Sequence, residues 1–264
     1  MRILFVGDVV GKTGRLALRR LLGPLRSRLE ADLVIVNGEN AAGGAGLTPA
    51  NAEELFAAGA DVLTLGNHTW DQKSLIPYLD ENPNIIRPVN LPPGLPGRGW
   101  LTVDTPAGRV GVLSLLGRVF LPITPDDPFR AADEALARIR ERTPVIIVDF
   151  HAEATSEKQA MGWYLDGRVT ALIGTHTHVQ TADARILPGG SGYVTDVGMT
   201  GARDSVIGID REAIVRRFLT QQPVRFEAAQ GDAVVSAALL RCDPASGRCL
   251  EFTAFTEFVS NPAE

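Results

Sequence analysis

The 264-residue chain is poor in cysteine and histidine, has no surplus of basic charge and contains no long hydrophobic run. No stretch approaches the roughly 20 apolar residues needed to cross a bilayer, so no membrane partner is expected. The apolar run at the start is short for a signal peptide and is interrupted at Asp8, and the cytoplasm is the expected location. Lys and Arg number 26 against 31 Asp and Glu, a net charge of −5. Counterion release needs a basic surface, so stable binding of nucleic acid is not expected either. The two cysteines, Cys242 and Cys249, flank the turn-like segment Asp243 to Arg248. Without a secretory signal they are expected to be reduced thiols, and they lack nearby partners for a metal. No internal repeat or low-complexity linker divides the chain, which predicts one compact domain over 1–264.

What the sequence does contain is a regular alternation of strands and helices. Arg2 to Val6 reads as a buried strand, and Leu16, Leu18, Leu21, Leu22 and Leu25 set a helical stripe within Thr13 to Leu29. A strand over Leu33 to Val36, a helix from Thr48 or Pro49 and a strand over Val62 to Leu65 follow. A further helix is expected to start near Asp71. This β-α-β-α-β order favours a parallel sheet with ligands at the carboxyl ends of its strands. Asn82 to Gly99, with five prolines, reads as a long surface connection. Trp100 to Thr105 and Arg109 to Leu115 form a predicted hairpin. A helix over Pro128 to Arg142, a strand over Val145 to Val148, a helix over Ser156 to Leu165 and a strand near Ala171 come next. Ile186-Leu187 and Tyr193 to Thr195 precede a loop from Asp196 to Ile209 and a helix near Arg211 to Leu219. Val224 to Phe226, Ala233 to Cys242 and Arg248 to Phe255 read as antiparallel strands. The middle and the end of the chain are thus expected to build a second sheet packed on the first.

Chemistry concentrates at the strand ends. In an extended Gly174-Thr175-His176-Thr177-His178, alternate side chains share a direction, so His176 and His178 present two imidazoles to one point. The other two histidines, His68 and His151, also follow strand-like runs. Gly7-Asp8-Val9-Val10-Gly11-Lys12-Thr13 invites a phosphate-loop reading, but three residues separate its glycines where that motif needs four. Asp8 alone reads equally well as a helix cap or a metal carboxylate. Glu39-Asn40 and Asn67-His68 alone read as turn and capping residues. Together these residues occupy five strand ends on one sheet edge, and a two-metal centre needs about this supply of N and O ligands.

Gly66-Asn67-His68, His151 and Gly174-Thr175-His176-Thr177-His178 resemble the signature of the calcineurin-like metallophosphoesterases. The chain departs from that signature at Val10 and at Glu39-Asn40. Both departures resemble one branch, the YmdB-like phosphodiesterases, as do Asn37-Gly38-Glu39-Asn40, Gly66 to Trp70 and Gly198-Met199-Thr200-Gly201. The resemblance implies an α/β fold, an αββα sandwich of two mixed sheets flanked by helices. It also implies hydrolysis of 2′,3′-cyclic nucleotides or related small phosphodiesters, and a homo-oligomer. It assigns one metal to Asp8, Glu39, Asn40 and His178, and a second to Glu39 as a bridge with Asn67, His151 and His176. His68 is left free of metal and is placed to act as general acid, behind a hydroxide bridging the two ions. Two divalent or trivalent ions per chain are expected; the mixed N/O set admits Fe, Mn or Zn, and the resemblance favours Fe or Mn. The core motifs admit two other readings, a phosphomonoesterase or nucleotidase and a non-catalytic nucleotide sensor. Arg203 is read as a surface residue, and the 196–209 loop as either a site lining or a plain connection.

Overall fold

The structure is a computed structural model and describes residues 1–262. Strand β1 (Arg2–Val6) leads through β2 (Asp8–Val9) into helix α1 (Gly11–Leu29), and β3 (Leu33–Asn37), α2 (Pro49–Ala58), β4 (Val62–Thr64), α3 (Leu75–Glu81) and β5 (Ile85–Ile86) continue the alternation. The hairpin of β6 (Trp100–Thr105) and β7 (Gly108–Leu116) precedes α4 (Pro128–Arg140), β8 (Ile146–His151), α5 (Thr155–Leu165) and β9 (Ala171–Thr175). Short strands β10 (Arg185–Ile186), β11 (Gly192–Val194) and β12 (Met199–Ala202) lead to α6 (Arg211–Thr220) and a long hairpin, β13 (Ala233–Cys242) and β14 (Cys249–Val259).

Two mixed sheets result. The first runs β2-β12-β13-β1-β3-β4-β5 with β14 beside β13, and the second runs β10-β11-β9-β8-β7-β6. Alternation along each strand sorts the apolar side chains into three layers. Ile3 and Phe5 of β1 pack between the sheets against Val112, Ile147 and Ile173, whereas Leu4 and Val6 face Leu18, Leu22 and Leu55 of α1 and α2. On the outer face of the second sheet, Leu113, Ile146 and Val148 meet Leu136, Ile139 and Met161 of α4 and α5. Strands covered on both faces read as continuous apolar runs, and the layer order is the αββα sandwich expected.

Four expectations need correction. The C-terminal hairpin joins the first sheet, not the second: β13 pairs antiparallel with β1 from Arg2↔Arg241 to Val6↔Ala237. It occupies the edge that β1 would otherwise leave open, since β3 takes the other side. Val224 to Phe226 is not a strand. The 196–209 loop contains β12, which pairs in parallel with β2 through Met199↔Asp8 and Thr200↔Val9. The Pro-rich 82–99 segment is partly interior. Buried Arg87 donates to the carbonyls of Pro88, Leu95 and Pro96, and buried Asn90 holds Leu116 and Asp126. Side-chain donors there serve carbonyls that proline-rich backbone cannot pair with its own N–H groups. Cys242 and Cys249 face each other across the hairpin as free, buried thiols, and burial pushes them up to about 11 and about 12. Among the described residues no helix is long and apolar enough to cross a membrane.

Candidate metal centre

The carboxyl ends of β1, β3, β4, β8 and β9 converge, and Asp8, Glu39, Asn40, Asn67, His151, His176 and His178 meet there, with His68 beside them. One group of donors gathers around His151 Nε2: Glu39 Oε1 at 2.8 Å, Asn67 Oδ1 at 2.9 Å and His176 Nδ1 at 3.0 Å. A second lies around His178 Nε2, which is 3.1 Å from the Asn40 amide nitrogen as in a hydrogen bond and 3.8 Å from Asp8 Oδ1, an oxygen also 3.8 Å from His151 Nδ1. Glu39 Oε1 accepts from Asn40 Nδ2 at 3.3 Å, which joins the two groups.

The histidine pair reaches this geometry by a different route from the one expected. Strand β9 stops at Thr175, and His176 and His178 take φ of 101° and 66°, so alternation of an extended strand does not orient them. Non-glycine residues in this region are uncommon and strained. Three contacts hold the turn: Asp8 Oδ2 accepts the His176 amide at 3.2 Å, Asp196 Oδ2 accepts the Thr177 amide at 3.0 Å, and Lys158 Nζ donates to the Thr175 carbonyl at 2.6 Å. The two imidazoles consequently part, one toward His151 and the other toward Asn40.

Charge at the centre is concentrated and largely buried. Asp8, Glu39 and His151 are fully buried. Burial raises the Asp8 carboxyl above its usual range, and Asp8 Oδ1 is a buried atom without a hydrogen-bond partner. Burial pushes Glu39 up as well, but the imidazolium of His151 outweighs it and holds the carboxyl at about 2. His151, pushed down by burial, is lifted further by the same contact to about 9. His176 falls to about 3 through burial and the neighbouring charge of His151. Two carboxylates, of which Asp8 keeps a partnerless oxygen, together with several imidazoles and the side-chain amides of Asn40 and Asn67 suit a cation of mixed N/O preference. Glu39, His151 and His176 place ligand atoms within 4.8 Å of one another. Gly66 leaves the space, since a Cβ there would lie 2.3 Å from His151 Cδ2 and 2.4 Å from Glu39 Oε2.

His68 stands apart from both groups. Its backbone N–H holds Glu39 Oε2 at 3.2 Å, and its ring Nδ1 pairs with Asp71 Oδ2 at 2.7 Å. The ring lines a cavity of about 630 Å³, into which Glu39, Asn40, His176 and His178 also open and which Val206, Ile207 and Ile209 of the 196–209 loop help to wall. Arg203 lies over the Phe258 ring at 5.0 Å, a surface position as expected.

The model of the YmdB-like protein family matches residues 4–255. The chain belongs to the YmdB-like family. A 2′,3′-cyclic-nucleotide 2′-phosphodiesterase of Bacillus subtilis is 51% identical over 243 residues, 92% of each chain. The crystal structure of a novel phosphatase from Mycoplasma pneumoniae superposes with a TM-score of 0.92 at 37% identity, covering 100% of this chain and 95% of that one. The calcineurin-like phosphoesterase YfkN from Bacillus subtilis, 13% identical, shares the fold with a TM-score of 0.61 over 98% of this chain and 90% of its own.

Around the motifs of this YmdB-like chain lie residues that motif reading missed. Thr175 Oγ1 donates to Asp149 Oδ1 at 2.6 Å and meets His151 Nδ1 at 2.9 Å. Asp149 also accepts from Asn37 Nδ2 at 2.9 Å and from Thr64 Oγ1. Burial lifts the Asp149 carboxyl to about 6, against the pull of His151 and these hydroxyls. Glu153 Oε2 lies 2.9 Å from His176 Nε2. Lys158 Nζ and Asp196 Oδ2 form a fully buried ion pair at 2.7 Å. A signal for Asp149 was present: it sits two residues before His151 in an otherwise apolar strand and therefore on the same face.

Proposed function

We propose that this chain is a metal-dependent phosphodiesterase that hydrolyses 2′,3′-cyclic nucleotides or related small phosphodiesters. The observation that carries the reading is the pair of donor groups joined through Glu39 at the head of an open cavity. Membership of the YmdB-like family and the activity named for the Bacillus subtilis relative support it. That relative's name points to opening of the 2′ ester bond, which would leave a 3′-phosphate.

In this reading Asp8, Glu39, Asn40 and His178 hold one ion, and Glu39, Asn67, His151 and His176 hold the second. Iron or manganese is favoured, with zinc compatible. When bound, the two ions supply positive charge to the phosphoryl oxygens and acidify water at neutral pH. The chain's own residues do the rest. Thr175 fixes the ring of His151, the 175–178 turn separates His176 from His178, and the buried surroundings keep bulk water from screening the charges. His68 gives a proton to the leaving alkoxide oxygen, with Asp71 orienting its ring from Nδ1. The whole chain works as one domain, in a cytoplasmic homo-oligomer; residues 263 and 264 lie outside the described ones.

The test is metal analysis followed by hydrolysis of bis-(p-nitrophenyl) phosphate, p-nitrophenyl phosphate and 2′,3′-cyclic AMP. Cleavage of both diesters by metal-loaded protein is expected. Cleavage of the monoester alone would move the protein to the phosphomonoesterases or nucleotidases. Tight nucleotide binding without turnover would make it a sensor.

A further inference from the structure

Two kinds of residue line the candidate cavity. Glu39, His68, His176 and His178 come from the strand ends, and Ile207, Ile209, Ile214, Phe218 and Phe226 form an apolar side drawn from the 207–226 stretch. The charged residue on the apolar side is Arg217, and its guanidinium lies over the Phe226 ring at 5.3 Å. We propose that this apolar side is a nucleobase-binding wall, with Ile207 and Phe218 as the residues that select substrates carrying a base. The proposal rests on the phosphodiesterase reading and deepens it, because it names the part of the substrate gripped away from the metals.

Ile207 supplies the strongest observation. Its φ is 49°, and a β-branched residue in the left-handed region is a true outlier that persists only where its surroundings hold it. The loop is held tightly. Val206 and Ile209 exchange backbone hydrogen bonds at 2.9 and 3.0 Å, and Ser205 Oγ accepts the Gly208 amide at 2.9 Å. Yet the strained side chain gains little packing, since Ile207 remains 50% exposed. Its carbonyl meets His178 Nδ1 at 2.8 Å, which ties the loop directly to the metal donors. The strain therefore positions an apolar side chain at the mouth of the site.

Phe218, on α6, lines the same cavity. It stands one helical turn after Ile214, on the same face, and is 81% exposed. Val215 and Leu219 line a separate hollow with Arg211 and Glu212. A flat aromatic group joined to a phosphodiester by one sugar fits a cavity with ligands for the phosphate at one side and an aromatic ring at the other. The five apolar side chains of this wall carry no hydrogen-bonding groups to read a base edge. Stacking then does the gripping, which tolerates every base because each has a π-face.

The experiment compares kcat/KM of the metal-loaded chain for 2′,3′-cyclic AMP and for glycerol 1,2-cyclic phosphate, a five-membered cyclic diester without a base. The ratio of the two is expected to fall about tenfold in Phe218→Ala, as the loss of an aromatic stacking partner implies, and to fall also in Ile207→Gly through lost apolar contact, in both chiefly through KM. Ile207→Gly also relieves the φ of 49°, so its Tm should hold or rise while the ratio falls, a combination that a structural role does not produce. Calorimetric binding of adenosine 3′-monophosphate should weaken by the same factor in Phe218→Ala. An unchanged ratio in both variants, with both diesters still cleaved, overturns the wall and leaves the phosphodiesterase reading standing. A change of oligomeric state in Phe218→Ala with no change in ratio overturns it too, and makes the surface a subunit contact. If wild-type protein cleaves neither diester but binds the monophosphate through Phe218, the wall stands and the hydrolase reading falls.

Discussion

Thr175 fixes the protonation of His151. A hydroxyl has one proton, and Thr175 gives it to Asp149 Oδ1 at 2.6 Å, so toward His151 Nδ1 at 2.9 Å it can only accept. The Nδ1 of His151 must then carry hydrogen, which leaves Nε2, the atom that lies among Glu39, Asn67 and His176, as the one that would exchange its proton for a cation.

Thr175→Val keeps the shape of the side chain and removes that acceptor. Metal affinity should fall about 10- to 100-fold, the usual cost of losing such an orienting contact. Titration of the apo-protein by calorimetry reads the change directly, and wild-type affinity in the variant would remove Thr175 from this role.

His68→Ala should retain both ions and lose turnover of bis-(p-nitrophenyl) phosphate by about 10²–10⁴-fold, as for a positioned acid. Metal content by plasma spectrometry must accompany the rates. Parallel loss of metal and activity would point to a ligand role instead.

Gly66→Ala places a Cβ 2.3 Å from His151 Cδ2 and 2.4 Å from Glu39 Oε2. Both side chains would have to leave their positions, and the expected result is loss of metal binding with a lower denaturation midpoint. Anomalous scattering or metal analysis showing two ions in this variant would contradict the geometry.

His176→Ala should lower occupancy below two ions per chain, and the ion near Asp8, Asn40 and His178 should be the one that stays. Stoichiometry by metal analysis decides, and retention of both ions would dissolve the division of the two imidazoles.

Lys158→Met strips Asp196 of its buried partner, and breaking such a pair from one side costs about 3–5 kcal/mol. Urea denaturation should show a loss of that size. Lys158→Met with Asp196→Asn should recover part of it, because no lone buried charge then remains.

Much of this architecture was legible because its signals are local. The β-α-β rhythm of the first 70 residues follows from periodicity within single segments, and the spacing in Gly174 to His178 marks a donor pair whatever its backbone angles. What escaped depends on distant contacts. Nothing within Ala233 to Cys242 says that its partner is Arg2 to Val6, more than two hundred residues earlier. The positive φ of His176 and His178 was hidden because glycine usually marks such turns, and here contacts from Asp8, Lys158 and Asp196 hold them instead. Glu153 and Lys158 read as ordinary residues of a helix and its approach until the sheets bring the 175–178 turn beside them.

Asp149 takes hydrogen bonds from Asn37 on β3 and Thr64 on β4 of one sheet, and from Thr175 on β9 of the other. The carboxylate that supports His151 is thus also a clasp across the seam of the sandwich. Ligation and folding are then linked by mass action: a cation at a hundred times its Kd adds about 2.7 kcal/mol to the stability of the folded chain. That free energy acts where the two halves meet. Amide exchange along β3, β8 and β9 should slow when metal is added and quicken under a chelator, so that a cation bound at this centre would act as a latch on the fold.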